Sequence, residues 1–97
     1  IEYTVKSMRN YACVLFWSIG NEIYEFNSPG GQECAKLLAA KIRRLDTRPV
    51  LCSGANKYVD YLDITDSHYQ SFPAVDSPDG CLHLAGESVF FPTKAFF

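Results

Sequence analysis

An apolar run from Val14 to Ile19, broken only by Ser18, ends abruptly in Gly20-Asn21-Glu22. A strand this hydrophobic is expected to be covered on both faces, as strands of parallel sheets are, with its polar residues gathered at the C-terminal end. The pattern predicts a strand over Cys13 to Ile19, preceded over residues 2 to 9 by the last turns of a helix in which Tyr3, Val5 and Met8 stand among polar neighbours. Tyr24 to Pro29 is polar and irregular, and Ser28-Pro29 offers an N-cap followed by proline at the first helical position. From Gln32 to Leu45, the residues Ala35, Leu38, Ile42 and Leu45 recur at intervals of three and four, the stripe of an amphipathic helix laid on a sheet. Asp46-Thr47-Arg48-Pro49 stops that helix, since proline lacks the donor and disfavours helix in the residue before it. Val50-Leu51-Cys52-Ser53 then reads as a short buried strand stopped by Gly54.

A strand, a helix and a second strand in this order form the unit that joins two parallel strands. Tyr61 to Thr65 reads as a third strand with Asp66-Ser67-His68-Tyr69-Gln70 at its end. Ser71 to Gly80, with Pro73, Pro78 and Gly80, reads as a surface loop, and Cys81 to Ala85 as a fourth strand leading into Gly86-Glu87. Three strand ends therefore offer Asn21 and Glu22, then His68 and Tyr69, then Glu87. Parallel neighbours bring such residues to one rim, the end where parallel α/β folds place their chemistry.

Composition narrows the picture. At 97 residues, 47% hydrophobic and 14% aromatic, the chain holds one core at most and is small for a parallel-sheet enzyme. It is expected to be a piece of a longer chain, with residues 1–97 a fragment of one domain. A net charge of -2 without runs of like charge gives no electrostatic reason to expect nucleic acid or a membrane surface as partner, and Lys41, Arg43 and Arg44 read as a solvated helix end. No stretch approaches the roughly 20 apolar residues of a membrane span. The 4 cysteines, Cys13, Cys34, Cys52 and Cys81, lack metal-ligand spacing, so no zinc site is expected. Cys13 and Cys52, in or beside strands, read as small hydrophobes. Cysteine usage leaves a reducing, cytoplasmic setting as the default; disulfide pairing and a periplasmic or secreted location stay open.

Two carboxylates facing each other across a rim, with a phenol nearby, are the parts that a retaining glycosidase needs. One carboxyl hands a proton to the departing oxygen while the other, ionised, attacks the anomeric carbon. An Asn-Glu pair at a strand end is by itself more often a cap or a solvated pair.

The surrounding residues make the pair specific. Phe16-Trp17-Ser18-Ile19-Gly20-Asn21-Glu22-Ile23 resembles the signature around the acid/base of glycoside hydrolase family 2, the family of β-galactosidases, β-glucuronidases and β-mannosidases. Met8-Arg9-Asn10, Ala35-Lys36, Ile42-Arg43 and Leu45-Asp46-Thr47-Arg48-Pro49-Val50 resemble the family in order and spacing, and Ser-Ile-Gly-Asn-Glu is most similar to the β-galactosidase branch. The resemblance implies an α/β fold, part of a (β/α)8 TIM barrel from about helix 3 through strand 7, with parallel strands and crossover helices.

The resemblance also implies hydrolysis of terminal β-glycosidic bonds by double displacement. It makes Glu22 the general acid/base, Asn21 the amide on the sugar 2-hydroxyl, Tyr69 the phenol that holds the nucleophile, and Glu87 the nucleophile. The sequence departs from the family pattern at His68, where asparagine is usual, and around Glu87, where Val89-Phe90 is an apparent insertion and the preceding glycine is one residue closer. No cofactor is implied; some members bind a metal near the site, and no ligand set for one is visible.

Further residues carry two readings each. Trp17 is a core aromatic or the floor of a sugar site. His68 is a strand-end hydrogen-bonding group or a substrate contact, and His83 lies within the fourth strand. Tyr24 and Phe26 line a sugar subsite or pack within their loop. Gly30-Gly31 lacks the rest of a phosphate-loop pattern. Glu25, Glu33, Asp60, Asp63 and Asp76 read as solvated or capping groups. The expected partners are a β-galactoside or related carbohydrate and the remainder of the barrel, or a second copy. The alternatives to an enzyme of this family are a catalytically inactive remnant that binds carbohydrate or other chains, and a barrel glycosidase of another family.

Overall fold

The computed structural model describes residues 1–69 and 78–87, the last of these by its backbone alone. Helix α1 (Glu2–Met8) is followed by strand β1 (Trp17–Asn21), a 3-10 turn (Tyr24–Asn27), helix α2 (Pro29–Leu45), and strands β2 (Val50–Ser53), β3 (Ile64–His68) and β4 (Leu82–Glu87). The N-cap of α2 is Ser28, whose hydroxyl accepts from the Gly31 amide at 3.1 Å and donates to the Glu25 carbonyl at 2.7 Å. It thereby satisfies one of the orphan donors at the helix start.

β1 pairs in parallel with β2, and β3 in parallel with β4. The two ladders lie side by side through β2 and β3. The Asp63 amide donates to the Val50 carbonyl at 2.9 Å before β3 begins, and the Asn56 amide donates to the Asp66 carbonyl at 3.0 Å past the end of β2. Among the described residues the four strands thus run in chain order and in one direction, as two two-stranded ladders that do not close into a barrel. Helix α2 covers one face, where Ala35, Ala39 and Ile42 join Trp17, Ile19, Val50, Cys52 and Phe26 in a buried cluster.

Several sequence expectations shift. β1 begins at Trp17 rather than Cys13, because the first bond to the neighbouring strand is from the Trp17 amide to the Pro49 carbonyl, at 2.9 Å. Upstream of it the chain turns, with Val14 bonded back to Tyr11, so Cys13, Leu15 and Phe16 are exposed and Cys13 does not pack as a hydrophobe. β1 is also not covered on both faces: Trp17 and Ile19 are buried, whereas Ser18 is exposed. β3 starts at Ile64 rather than Tyr61, since the Leu62 amide closes a turn on Val59. β4 runs on through Glu87. A crossover helix joins β1 to β2, but residues 54–63 link β2 to β3 without one. Most of the loop read over Ser71 to Gly80, and Asp76 within it, lie outside the described residues.

At the N-terminal end of the strands, Asp46 Oδ2 accepts from Trp17 Nε1 and from Arg48 Nη1, each at 2.7 Å. Arg48 also donates to the carbonyls of Arg9 and Tyr11, tying α1 to the sheet. The indole N–H and then the guanidinium hold the Asp46 carboxyl below its usual range. Lys6 and Lys41 likewise bring Glu2 down to about 2. Both groups therefore take up a proton more readily unfolded than folded. Their contribution is complete above the ordinary carboxylate value of about 4 and is lost as pH falls through the lowered folded values. The urea midpoint is expected to drop between about pH 5 and pH 2, and to drop less in Asp46→Asn. An identical acid dependence in the variant would refute this assignment.

Candidate active site

Each of the first three strands closes on a left-handed residue: Glu22 after β1 (φ 49°), Gly54 after β2 (φ 66°) and Tyr69 after β3 (φ 58°). Asn56 (φ 57°) follows close by. Such conformations are uncommon outside glycine and collect at functional sites. At Gly54 the space is closed as well, because a Cβ there would lie 2.7 Å from His68 Nδ1 and 2.8 Å from Glu22 Cγ.

Here the strands bring Glu22 and His68 together. Glu22 is held by its backbone, whose N–H donates to the Ser53 carbonyl at 2.8 Å, and its side chain is half exposed. Its Oε1 lies 3.0 Å from His68 Nδ1. His68 is buried, and its Nε2 lies 3.0 Å from Asp66 Oδ2 and 3.2 Å from Ser53 Oγ. Asp66 is 1% exposed and accepts the Gly54 amide at 2.7 Å, while Oδ1, packed against Gly86, has no hydrogen-bond partner. The His68 amide donates to Asn56 Oδ1 at 2.7 Å. The Tyr69 ring stands edge-on to the imidazole at 5.9 Å, and Tyr69 is exposed.

Glu22, Gly54, Asn56, His68 and Tyr69 line an open cleft of about 310 Å³ together with Ile23, Tyr24 and Lys57, and Asp66 and Ser53 lie behind it. Tyr24 is exposed in the cleft wall, whereas Phe26 is buried in the core with the Lys57 ammonium 5.4 Å from its ring centroid. Asn21 is the exposed last residue of β1, paired in register with Ser53. Glu87 ends β4, and its backbone stands opposite His68 in the β3–β4 register. Trp17 lies at the other end of β1, bonded to Asp46, and is not brought to the cleft. Cys52 points into the core beneath the site, where burial and then the charge of Asp66 push its thiol up to about 11. It is a protonated packing group. Among the described residues, no three His, Cys, Asp or Glu side chains are grouped to hold a metal ion, and no helix is long and apolar enough to cross a membrane.

A carboxyl group half in solvent, fixed at one oxygen, at the C-terminal rim of parallel strands is placed to exchange a proton with a bound ligand. The family model described as glycosyl hydrolases family 2, TIM barrel domain, matches residues 1–87. The chain belongs to this family. No curated protein and no solved structure matches it. In the glycoside hydrolase domain, Asp66, Ser53, Gly54 and Asn56 are candidate-site residues, packed around Glu22 and His68, that sequence reasoning missed. The available signals were the glycine directly after the second strand and the Asp-x-His spacing at 66 and 68, which puts both side chains on one face of a strand.

Proposed function

We propose that the domain hydrolyses terminal β-glycosidic bonds, with β-galactosides as the favoured substrates, by a retaining double displacement. The supporting observation is the placement of Glu22, whose carboxyl stands at the mouth of the cleft with Oε1 held by the buried His68. Glu22 protonates the departing oxygen while the Glu87 carboxylate attacks the anomeric carbon, which breaks the glycosidic bond and forms a glycosyl ester. Glu22, now ionised, takes a proton from water. The water oxygen attacks the anomeric carbon, and the Glu87 carboxylate is released. Asn21 binds the sugar 2-hydroxyl, and Tyr69 orients Glu87. The chemistry on this reading needs no cofactor.

The segment is proposed to span helix 3 through strand 7 of the barrel. The remainder of the barrel would cover exposed apolar residues such as Leu15, Phe16 and Leu82. The test follows hydrolysis of an aryl β-galactoside by the full-length protein with proton NMR. The β-anomer is expected to appear first, and a 2-deoxy-2-fluoro galactoside is expected to label Glu87. An α-anomer as first product, or a label elsewhere, would overturn the assignment.

A further inference from the structure

The Glu22, His68 and Asp66 side chains form a continuous line from solvent to the core. Asp66 is buried, already accepts the Gly54 amide on Oδ2, and carries a second oxygen without a partner. A buried carboxylate with so few hydrogen bonds is sensitive to any polar group beside it. Its Oδ2 stands 3.0 Å from His68 Nε2, and a buried negative charge beside a ring nitrogen favours hydrogen on that nitrogen, which Ser53 Oγ at 3.2 Å can then accept.

The other ring nitrogen, Nδ1, then faces Glu22 Oε1 at 3.0 Å. Two lone pairs at that distance repel, so one proton lies between them. It resides either on the carboxyl, donating to a neutral imidazole, or on Nδ1, donating to a carboxylate. The two arrangements have the same total charge and differ by movement of one hydrogen along one hydrogen bond.

We propose that Asp66 and His68 are a positioning pair that fixes the imidazole tautomer and shares with Glu22 the proton that leaves with the departing group. This rests on the acid/base role proposed for Glu22. Gly54 supports the arrangement because it is the residue over which the two side chains meet, and any Cβ would separate them. When Glu22 gives its proton to the glycosidic oxygen, the pair is left with the Nε2 hydrogen alone. The proton taken from water in the second step then restores the bond between Glu22 and Nδ1.

Imidazole nitrogen NMR on the full-length protein gives the first test and needs no turnover. Nε2 is expected to signal as protonated at neutral pH, Asp66→Asn to move the Nε2 signal, and Glu22→Gln to move the Nδ1 signal. An unprotonated Nε2, or signals indifferent to both substitutions, would overturn the proposal. The second test compares first-turnover rates of His68→Asn and Asp66→Asn on phenyl and 2,4-dinitrophenyl β-galactosides, the latter leaving without help from an acid. The phenyl substrate is expected to slow about tenfold or more and the dinitrophenyl substrate by less than about threefold. Equal slowing of both would mark a purely structural role and overturn the proposal. If Glu22→Gln itself slows both substrates equally, the acid role of Glu22 is what fails, a result distinct from failure of the two neighbours.

Discussion

Replacing Glu22 with alanine in the full-length protein is expected to lower kcat/KM for a phenyl β-galactoside by about 10²- to 10⁴-fold, the range that a positioned general acid supplies. The loss is expected to depend on the leaving group. With 2,4-dinitrophenolate no proton is needed for departure, so a first burst of dinitrophenol persists while turnover stalls at the glycosyl ester, where water now lacks its base. Azide, a small anion that attacks without deprotonation, fits the space vacated by the carboxylate and is expected to restore release of the sugar as the β-azide. An α-azide would show instead that Glu22 is the nucleophile. Near-native kcat/KM with every leaving group would remove Glu22 from the chemistry altogether. His68 remains in place in this variant, so the result reads the carboxyl and not its support.

The second large effect is expected at a residue with no side chain. Gly54→Ala forces a left-handed conformation at φ 66° onto an L residue and sets a methyl 2.7 Å from His68 Nδ1 and 2.8 Å from Glu22 Cγ. Backbone strain of this kind costs about 1–3 kcal/mol, which a chemical denaturation curve resolves. Relief requires His68 or Glu22 to move, yet His68 is pinned by Asp66 and Ser53, so Glu22 is the group that yields. Activity is therefore expected to fall further than stability predicts, measured as kcat/KM at temperatures where the variant is fully folded. Unchanged activity in a destabilised variant would show that the contact between Glu22 and His68 is dispensable.

Helix α2 and β2 were legible because their burial follows their hydrophobicity, whereas α1 forms where expected with only Val5 of its apolar residues buried. The stripe from Ala35 to Leu45 packs on the sheet, Ser28 caps its helix, and Val50 to Ser53 is a strand over the residues expected. β3 was misplaced because Thr65, Asp66, Ser67 and His68 are buried without being apolar. Their burial is sustained by partners distant in sequence, such as the Gly54 amide for Asp66 and the His83 ring for Ser67 at 3.0 Å, which no local pattern announces. The start of β1 was misplaced for the complementary reason: Leu15 and Phe16 are strand-like in composition but have no neighbouring strand, since β2 begins only after Pro49. At the site, the position of Glu22 followed from strand ends alone. Its support by His68 and Asp66 did not, because it depends on partners within a strand that is polar in four of its five residues.

The left-handed turns after Asn21, Ser53 and His68 bear on how this rim changes over evolutionary time. A left-handed residue ends the extended conformation at a single position, so what each strand end presents is set close to the strand itself. The segment from residue 54 to 63 joins two neighbouring parallel strands without a helix, and its first residues belong to the centre: Gly54 leaves room for the imidazole and carboxyl to meet, and Asn56 accepts the His68 amide. A change of length in this segment is therefore expected to leave the Glu22–His68 contact intact when it falls beyond Asn56, and to disturb it when it falls before.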